Sequence, residues 1–181
     1  MDYTNLGAHK DQISKIGLGS LFKNYDLKNN IKITKLIEKG SQVGINFIDT
    51  APVYGSGEIE KIIGVSTINK RDKFVLATKN LPSQNTYQQI ISSAEMSLKR
   101  LKTDYIDLFQ IHWPNHNISI EETCEALKVL IKAGKIKYAG VCNTTLKDLK
   151  KYFQILNDKL ASVQNEFNLI ETKEYEKLKN F

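Results

Sequence analysis

The sequence predicts an α/β protein on a parallel sheet, of the (β/α)-barrel type. Three observations carry that expectation. Short apolar runs alternate along the chain with longer segments of helical spacing, the pattern of βαβ units. The run from Lys73 to Lys79 is apolar nearly throughout, as in a strand covered on both faces. Three of the runs end in Asp49, Lys79 and His112, and parallel α/β folds gather their functional groups at such strand ends. About six strands are expected, whereas a closed barrel has eight and typically ~250 residues. The 181 residues are therefore expected to form one incomplete barrel domain of about six of eight βα units, residues 1–181. It would lack the last strands and the C-terminal loop.

In order, Tyr3 to Gly7 and Ile13 to Gly19 are short apolar segments between turn residues, a small N-terminal hairpin leading into the first strand. Ile33, Leu36, Ile37 and Val43 give 31–43 a helical spacing. Ile45 to Ile48 forms a strand closed by Asp49. Pro52, Gly55 and Gly57 make a loop, and Glu58 to Ile63 begins a helix with Gly64 as its stop. After the strand ending at Lys79, Pro82 and Ser83 open a loop. Ile90, Ile91, Ala94, Leu98 and Leu101 then mark a helix over 87–101.

Tyr105 to His112 is a strand stopped by Trp113-Pro114. Ser119 and Glu122 have capping-box spacing, and Ile120, Cys124, Leu127 and Ile131 lie on one helical face ended by Gly134. A strand over 137–142 precedes a helix with apolar positions Leu146, Leu149, Phe153 and Leu156. Ala161 to Glu166 is the last strand, and 173–181 begins a helix.

Hydrophobic residues make up 41% and charged residues 25%, which excludes a disordered chain. No apolar run approaches the ~20 residues of a membrane span, and the polar residues Met1 to Lys10 show no signal peptide. Two cysteines are too few for a disulfide framework, so a cytoplasmic location is the default. The net charge of +6 is spread among acids, as between Glu121 and Lys137. That predicts no nucleic-acid or membrane partner, while an anionic cofactor stays compatible.

Singly, each polar candidate has a bland role. Asp49 serves as a cap, Tyr54 packs, Lys79 solvates a strand end, and His112 is satisfied by a carbonyl. Together they suit proton delivery. A phenol of pKa ~10 holds its proton tightly near neutrality, and a neighbouring ammonium lowers that value. Lys79 would supply the charge, Asp49 would hold Lys79, and neutral His112 would hydrogen-bond a substrate oxygen, as in general acid catalysis at a carbonyl. Gly55-Ser-Gly57 begins a dinucleotide fingerprint, but Glu60 replaces its third glycine. Pro114 between His112 and His116 opposes a shared metal on a helix, and no metal site is predicted. Cys142 as a nucleophile would need a base beside it.

Gly44 to Gly55, Ser97 to Pro114, Gly134 to Asn143 and Val163 to Glu166 together resemble the aldo-keto reductase family, in order from about Tyr3 to Ile170. The resemblance implies a (β/α)8 TIM barrel and reduction of an aldehyde or ketone by NAD(P)H, with NADP as cofactor and NAD as the second option. The family's catalytic tetrad maps onto Asp49, Tyr54, Lys79 and His112. Its nicotinamide-carboxamide contacts map onto Cys142, Asn143 and Gln164, and Gly19 and Ser20 lie where its backbone approaches the cofactor. The family usually has serine at Cys142, and a thiol is a weak donor. The family's loops for the pyrophosphate and adenosine phosphate follow its seventh and eighth strands, past the segments matched here. A non-catalytic scaffold or inactive truncated product is the alternative, and open sheet edges would favour self-association.

Overall fold

The computed structural model describes residues 1–21, 30–82 and 84–179. A hairpin of β1 (Tyr3–Asn5) and β2 (Gln12–Ser14) comes first. Six parallel strands then pair in chain order. They are β3 (Leu18–Gly19), β4 (Phe47–Asp49), β5 (Val75–Lys79), β6 (Ile106–Ile111), β7 (Ile136–Cys142) and β8 (Leu160–Gln164). Between and after them run α1 (Asn30–Gln42), α2 (Glu58–Thr67), α3 (Tyr87–Leu101), α4 (Ile120–Lys132), α5 (Leu146–Leu156) and α6 (Lys173–Leu178). This is the expected incomplete parallel barrel with its N-terminal hairpin. Ser83, Asn180 and Phe181, assigned above to loop and helix, lie outside the described residues. Among the described residues, no helix is long and apolar enough to cross a membrane.

Strand periodicity sorts the side chains. Ile48, Leu76, Phe109, Ile111, Ala139 and Val141 face outward and pack with Ile37, Ile63, Ile90, Leu127 and Leu149 of the helices. The alternate positions face inward. Near the strand starts they are apolar: Ala77, Leu108 and Ala161 cluster with Phe47, Val75 and Tyr138. Leu6, in the hairpin turn, enters this inner cluster with Ile13. Its burial at 3% exposure contributes about 1.5–3 kcal/mol. The hairpin thus closes the N-terminal end of the sheet. Toward the strand ends the same alternation becomes polar, through Asp49, Lys79, Gln110, His112 and Cys142, and that change positions the site.

Two buried carboxylates tie elements together. Glu60 of α2, wholly buried, accepts from Arg100 Nε of α3 at 2.6 Å and from Thr78 Oγ1 of β5 at 2.7 Å. The residue that breaks the dinucleotide spacing is therefore a structural anchor. Asp107 accepts from Arg71 at 2.5 Å, Lys137 at 2.7 Å and the Leu76 N–H at 3.0 Å.

Several local expectations are corrected. Gly64 does not stop α2, which continues to Thr67. A Cβ at Gly64 would lie 2.6 Å from the Leu101 carbonyl carbon and oxygen, so this glycine lets α2 approach the end of α3. Gly64→Ala should cost about 1–3 kcal/mol through overpacking against backbone. The check is a lower midpoint in urea with an unchanged slope. The Ser119 hydroxyl accepts from Glu122 N–H as a capping box requires, but the Glu122 carboxylate accepts from Tyr87 N–H at 2.9 Å instead. It satisfies an orphan donor at the start of α3. The full capping box belongs to Thr86 and Gln89. In α5 the buried face is Leu149, Tyr152 and Leu156, and Phe153 is 44% exposed.

Candidate active site

The ends of all six parallel strands and one turn deliver the site. Asp49 ends β4 and Lys79 ends β5, both on the inner face, and β4–β5 pairing sets their strand ends side by side. Lys79 Nζ donates to Asp49 Oδ1 and Oδ2, each at 2.8 Å, and to the Thr50 carbonyl at 3.1 Å. Lys79 is 1% exposed. Burying an ammonium this fully requires a paired, well-satisfied geometry, and the two-oxygen contact supplies it. Gln110 Nε2 adds a bond to Asp49 Oδ1 at 3.2 Å and Gln164 Nε2 one to Oδ2 at 3.3 Å.

Tyr54 comes from the turn after β4. Gly55, Ser56 and Gly57 all have positive φ, at 54°, 53° and 87°. Two glycines fit that conformation without strain, and it brings the chain sharply into α2. The Tyr54 ring lies 5.6 Å from Lys79 Nζ and meets the His112 ring edge-on, with centroids 6.2 Å apart. His112 follows β6 directly. Asn80 Oδ1 accepts its backbone N–H at 2.8 Å and Asn143 Nδ2 donates to its carbonyl at 2.9 Å. The imidazole is therefore pinned through its own backbone. Its Nδ1 is buried without a partner among the described residues.

Electrostatics correct one expectation. The phenol of Tyr54 is raised above its ordinary value, not lowered. Burial is the largest cause, the Lys79 ammonium pulls the other way, and Asp49 and Cys142 add to the rise. His112 is held below its ordinary value, first by burial and then by Lys79, against Asp49 and the Asn80 contact. The ring is thus uncharged at neutral pH. Cys142 is pushed up to about 12, mainly by burial. Its thiol stays protonated, with Sγ 3.5 Å from Gln164 Oε1, which argues against a nucleophile.

The remaining predicted positions surround this group. Gly19 pairs in register with Asp49, and a Cβ there would meet nothing within 4 Å. Ser20 donates through N–H and Oγ to the Asp49 carbonyl, at 3.1 and 2.9 Å. Asn143 has φ 52°, a conformation asparagine tolerates, and its N–H donates to the Gln164 carbonyl at 3.0 Å. All nine predicted positions therefore fall along the C-terminal ends of the strands. Gln110, Thr50 and Asn80 belong to the same group and were not predicted. Gln110 precedes His112 by two residues, so period-two alternation was the signal that could have found it. Among the described residues, no three His, Cys, Asp or Glu side chains are arranged to hold a metal ion. An acid with its proton in place, beside an ammonium and a neutral imidazole, can protonate an oxygen held between them.

Comparison with known proteins identifies the family. The sequence model of the Aldo/keto reductase family matches residues 15–181. The chain is 37% identical to aldo-keto reductase YhdN of Bacillus subtilis, over 94% of this chain and 55% of that protein. It is 34% identical to methylglyoxal reductase YeaE of Escherichia coli, over 77% and 49%. The structure matches the thermostable aldo-keto reductase Tm1743 bound to epalrestat with TM-score 0.90 and 32% identity, over 98% of this chain and 66% of that one. It matches an aldo/keto reductase from Klebsiella pneumoniae, solved with NADP and acetate, with TM-score 0.86 and 28% identity, over 93% and 60%. The chain spans about half the length of these curated relatives. With a family match over nearly all of its residues, this chain belongs to the aldo/keto reductase family.

Proposed function

We propose that this chain reduces a small aldehyde or ketone to the alcohol with NADPH as hydride source, NADH being the second option, and that residues 1–181 act as one barrel-type domain. The observation that carries the reading is the buried, two-oxygen Lys79–Asp49 pair beside Tyr54 and an uncharged His112. Such a pair is costly to bury, which favours an enzyme over an inert scaffold. The free cysteines fit a reducing cytoplasm.

The rim fits the carboxamide end of a nicotinamide. Gln164 is an exposed amide beside the ion pair, and Asn143 is a second amide held at a fixed angle. Amides match a carboxamide in both donors and acceptors, and Cys142 adds a weak donor. Gly19 and Ser20 would border the same group. A reduced nicotinamide held there would supply the hydride for the carbonyl carbon. Tyr54 gives its proton to the carbonyl oxygen. Lys79 favours the phenolate left behind, Asp49 holds Lys79 aimed, and the His112 imidazole hydrogen-bonds the oxygen. The names of the relatives, methylglyoxal reductase among them, support small carbonyls as the substrate class. An NADP-bound neighbour supports that cofactor.

The test is NADPH oxidation by the whole chain with a small aromatic aldehyde, alongside a fluorescence titration with NADPH. Saturable binding and alcohol formation are expected; a folded chain that binds no NADPH would sink the reading. The raised phenol sets the sign of the pH dependence. Reduction should hold from neutral pH until Tyr54 ionises, above its ordinary value of about 10, and then fall about tenfold per unit as the acid form is lost.

A further inference from the structure

We infer that Gln110 is a positioning residue of this site, fixing the Asp49 carboxylate and through it the Lys79 ammonium; the inference rests on the roles proposed above for Tyr54 and its partners. Gln110 is 1% exposed and stands on the inner face of β6, one step above Leu108 and one below His112. An amide buried there is a liability unless both ends are satisfied. Both are. Nε2 donates to Asp49 Oδ1 at 3.2 Å, and Oε1 accepts from Ser162 Oγ of β8 at 3.2 Å.

The Asp49 carboxylate fixes the direction of the amide. A carboxylate only accepts, so the NH2 group must face it, and Oε1 is left to accept from the Ser162 hydroxyl. Room for this contact comes from Gly140 of β7, where a Cβ would lie 2.3 Å from Ser162 Oγ and 2.9 Å from Gln110 Cγ. Three adjacent strands thus build one hydrogen-bonded shelf beneath the ion pair. The other amide on Asp49, Gln164, is exposed and longer at 3.3 Å. Gln110 is the buried neutral donor to this carboxylate among the described residues. Being neutral, it can hold the carboxylate's angle without displacing the Lys79 ammonium from it.

The test compares the full chain with Gln110→Met, Ser162→Ala and the double variant. Methionine matches the length and lacks the donor. One readout needs no turnover: the midpoint of the Tyr54 phenol titration in the free chain, isolated by difference against Tyr54→Phe in each background. With the amide gone, more of the Asp49 charge is left uncompensated, and the phenol should move further up in pH. The second readout is the split of kcat and KM with NADPH and a small aromatic aldehyde. Gln110→Met should lower kcat about tenfold, as small misalignments of reacting groups do, with KM within about twofold. Ser162→Ala should give a smaller loss that disappears in the Gln110→Met background. A folded Gln110→Met chain with both titration and kcat unchanged overturns the inference. A wild-type chain without turnover instead defeats the proposed reductase reading, and the titration still decides the role of Gln110.

Discussion

Replacing Tyr54 with phenylalanine is expected to lower kcat/KM for carbonyl reduction by about 10²–10⁴-fold, the usual contribution of a positioned general acid. The change removes one oxygen. It leaves the ring packed against His112 and the cation near its face, so stability should be little changed. NADPH affinity should stay close to wild type, because in the proposed mechanism Tyr54 acts on the substrate oxygen and not on the carboxamide. The decisive measurement is steady-state kinetics on variant and wild type, with cofactor affinity followed separately by fluorescence. Loss of binding together with rate would mean that the phenol holds the cofactor. Unchanged turnover would remove Tyr54 from its role, and His112 would become the remaining proton source to test.

Arg100→Met should be strongly destabilising. The Arg100 side chain is only 20% exposed, and its partner Glu60 has a side chain at 0%. Removing the guanidinium leaves a carboxylate in the packed region between α2, α3 and β5 with Thr78 as its remaining partner. Breaking a buried pair from one side costs about 3–5 kcal/mol. For a chain of this size that corresponds to a fall of about 6–20 °C in Tm. The double variant Glu60→Gln with Arg100→Met should recover much of the loss, because the uncompensated charge is gone. Additive losses would show that Arg100 contributes through packing alone. The turn that carries Tyr54 rests on the same side chain, since a Cβ at Gly57 would lie 2.8 Å from Arg100 Cδ. Activity of the single variant should therefore fall even at temperatures where it stays folded.

Much of this site was legible because strand ends are marked by composition. Asp49, Lys79 and His112 each close an apolar run, and a parallel sheet carries the ends of its strands to one rim. The inner and outer faces were equally available from the period of two, although Gln110 was overlooked among the apolar residues of β6. What stayed hidden depends on distances between residues far apart in the chain. Whether burial or Lys79 governs the Tyr54 proton is a contest between two effects set by the same tertiary packing, and burial prevails. Glu60 stood out only as the residue in place of a fingerprint glycine, and nothing local to it announces Arg100, forty residues on. Gly64 looked like a terminator because glycine also serves as a packing space, and the two uses share one letter. Phe153 in place of Tyr152 was a rotation of one residue on α5, where hydrophobicity favoured the wrong ring.

The stopper made by Leu6 and its hairpin has a consequence for how such a molecule can change. His9 stacks on Tyr138 with centroids 3.9 Å apart and bonds to the Asp158 carbonyl, clamping the plug to β7 and the segment before β8. Apolar side chains of the inner cluster thereby stand below the ammonium, and its polar partners lie toward the rim. Loops above the rim are free to drift in length and chemistry while the charged group beneath them keeps its apolar floor.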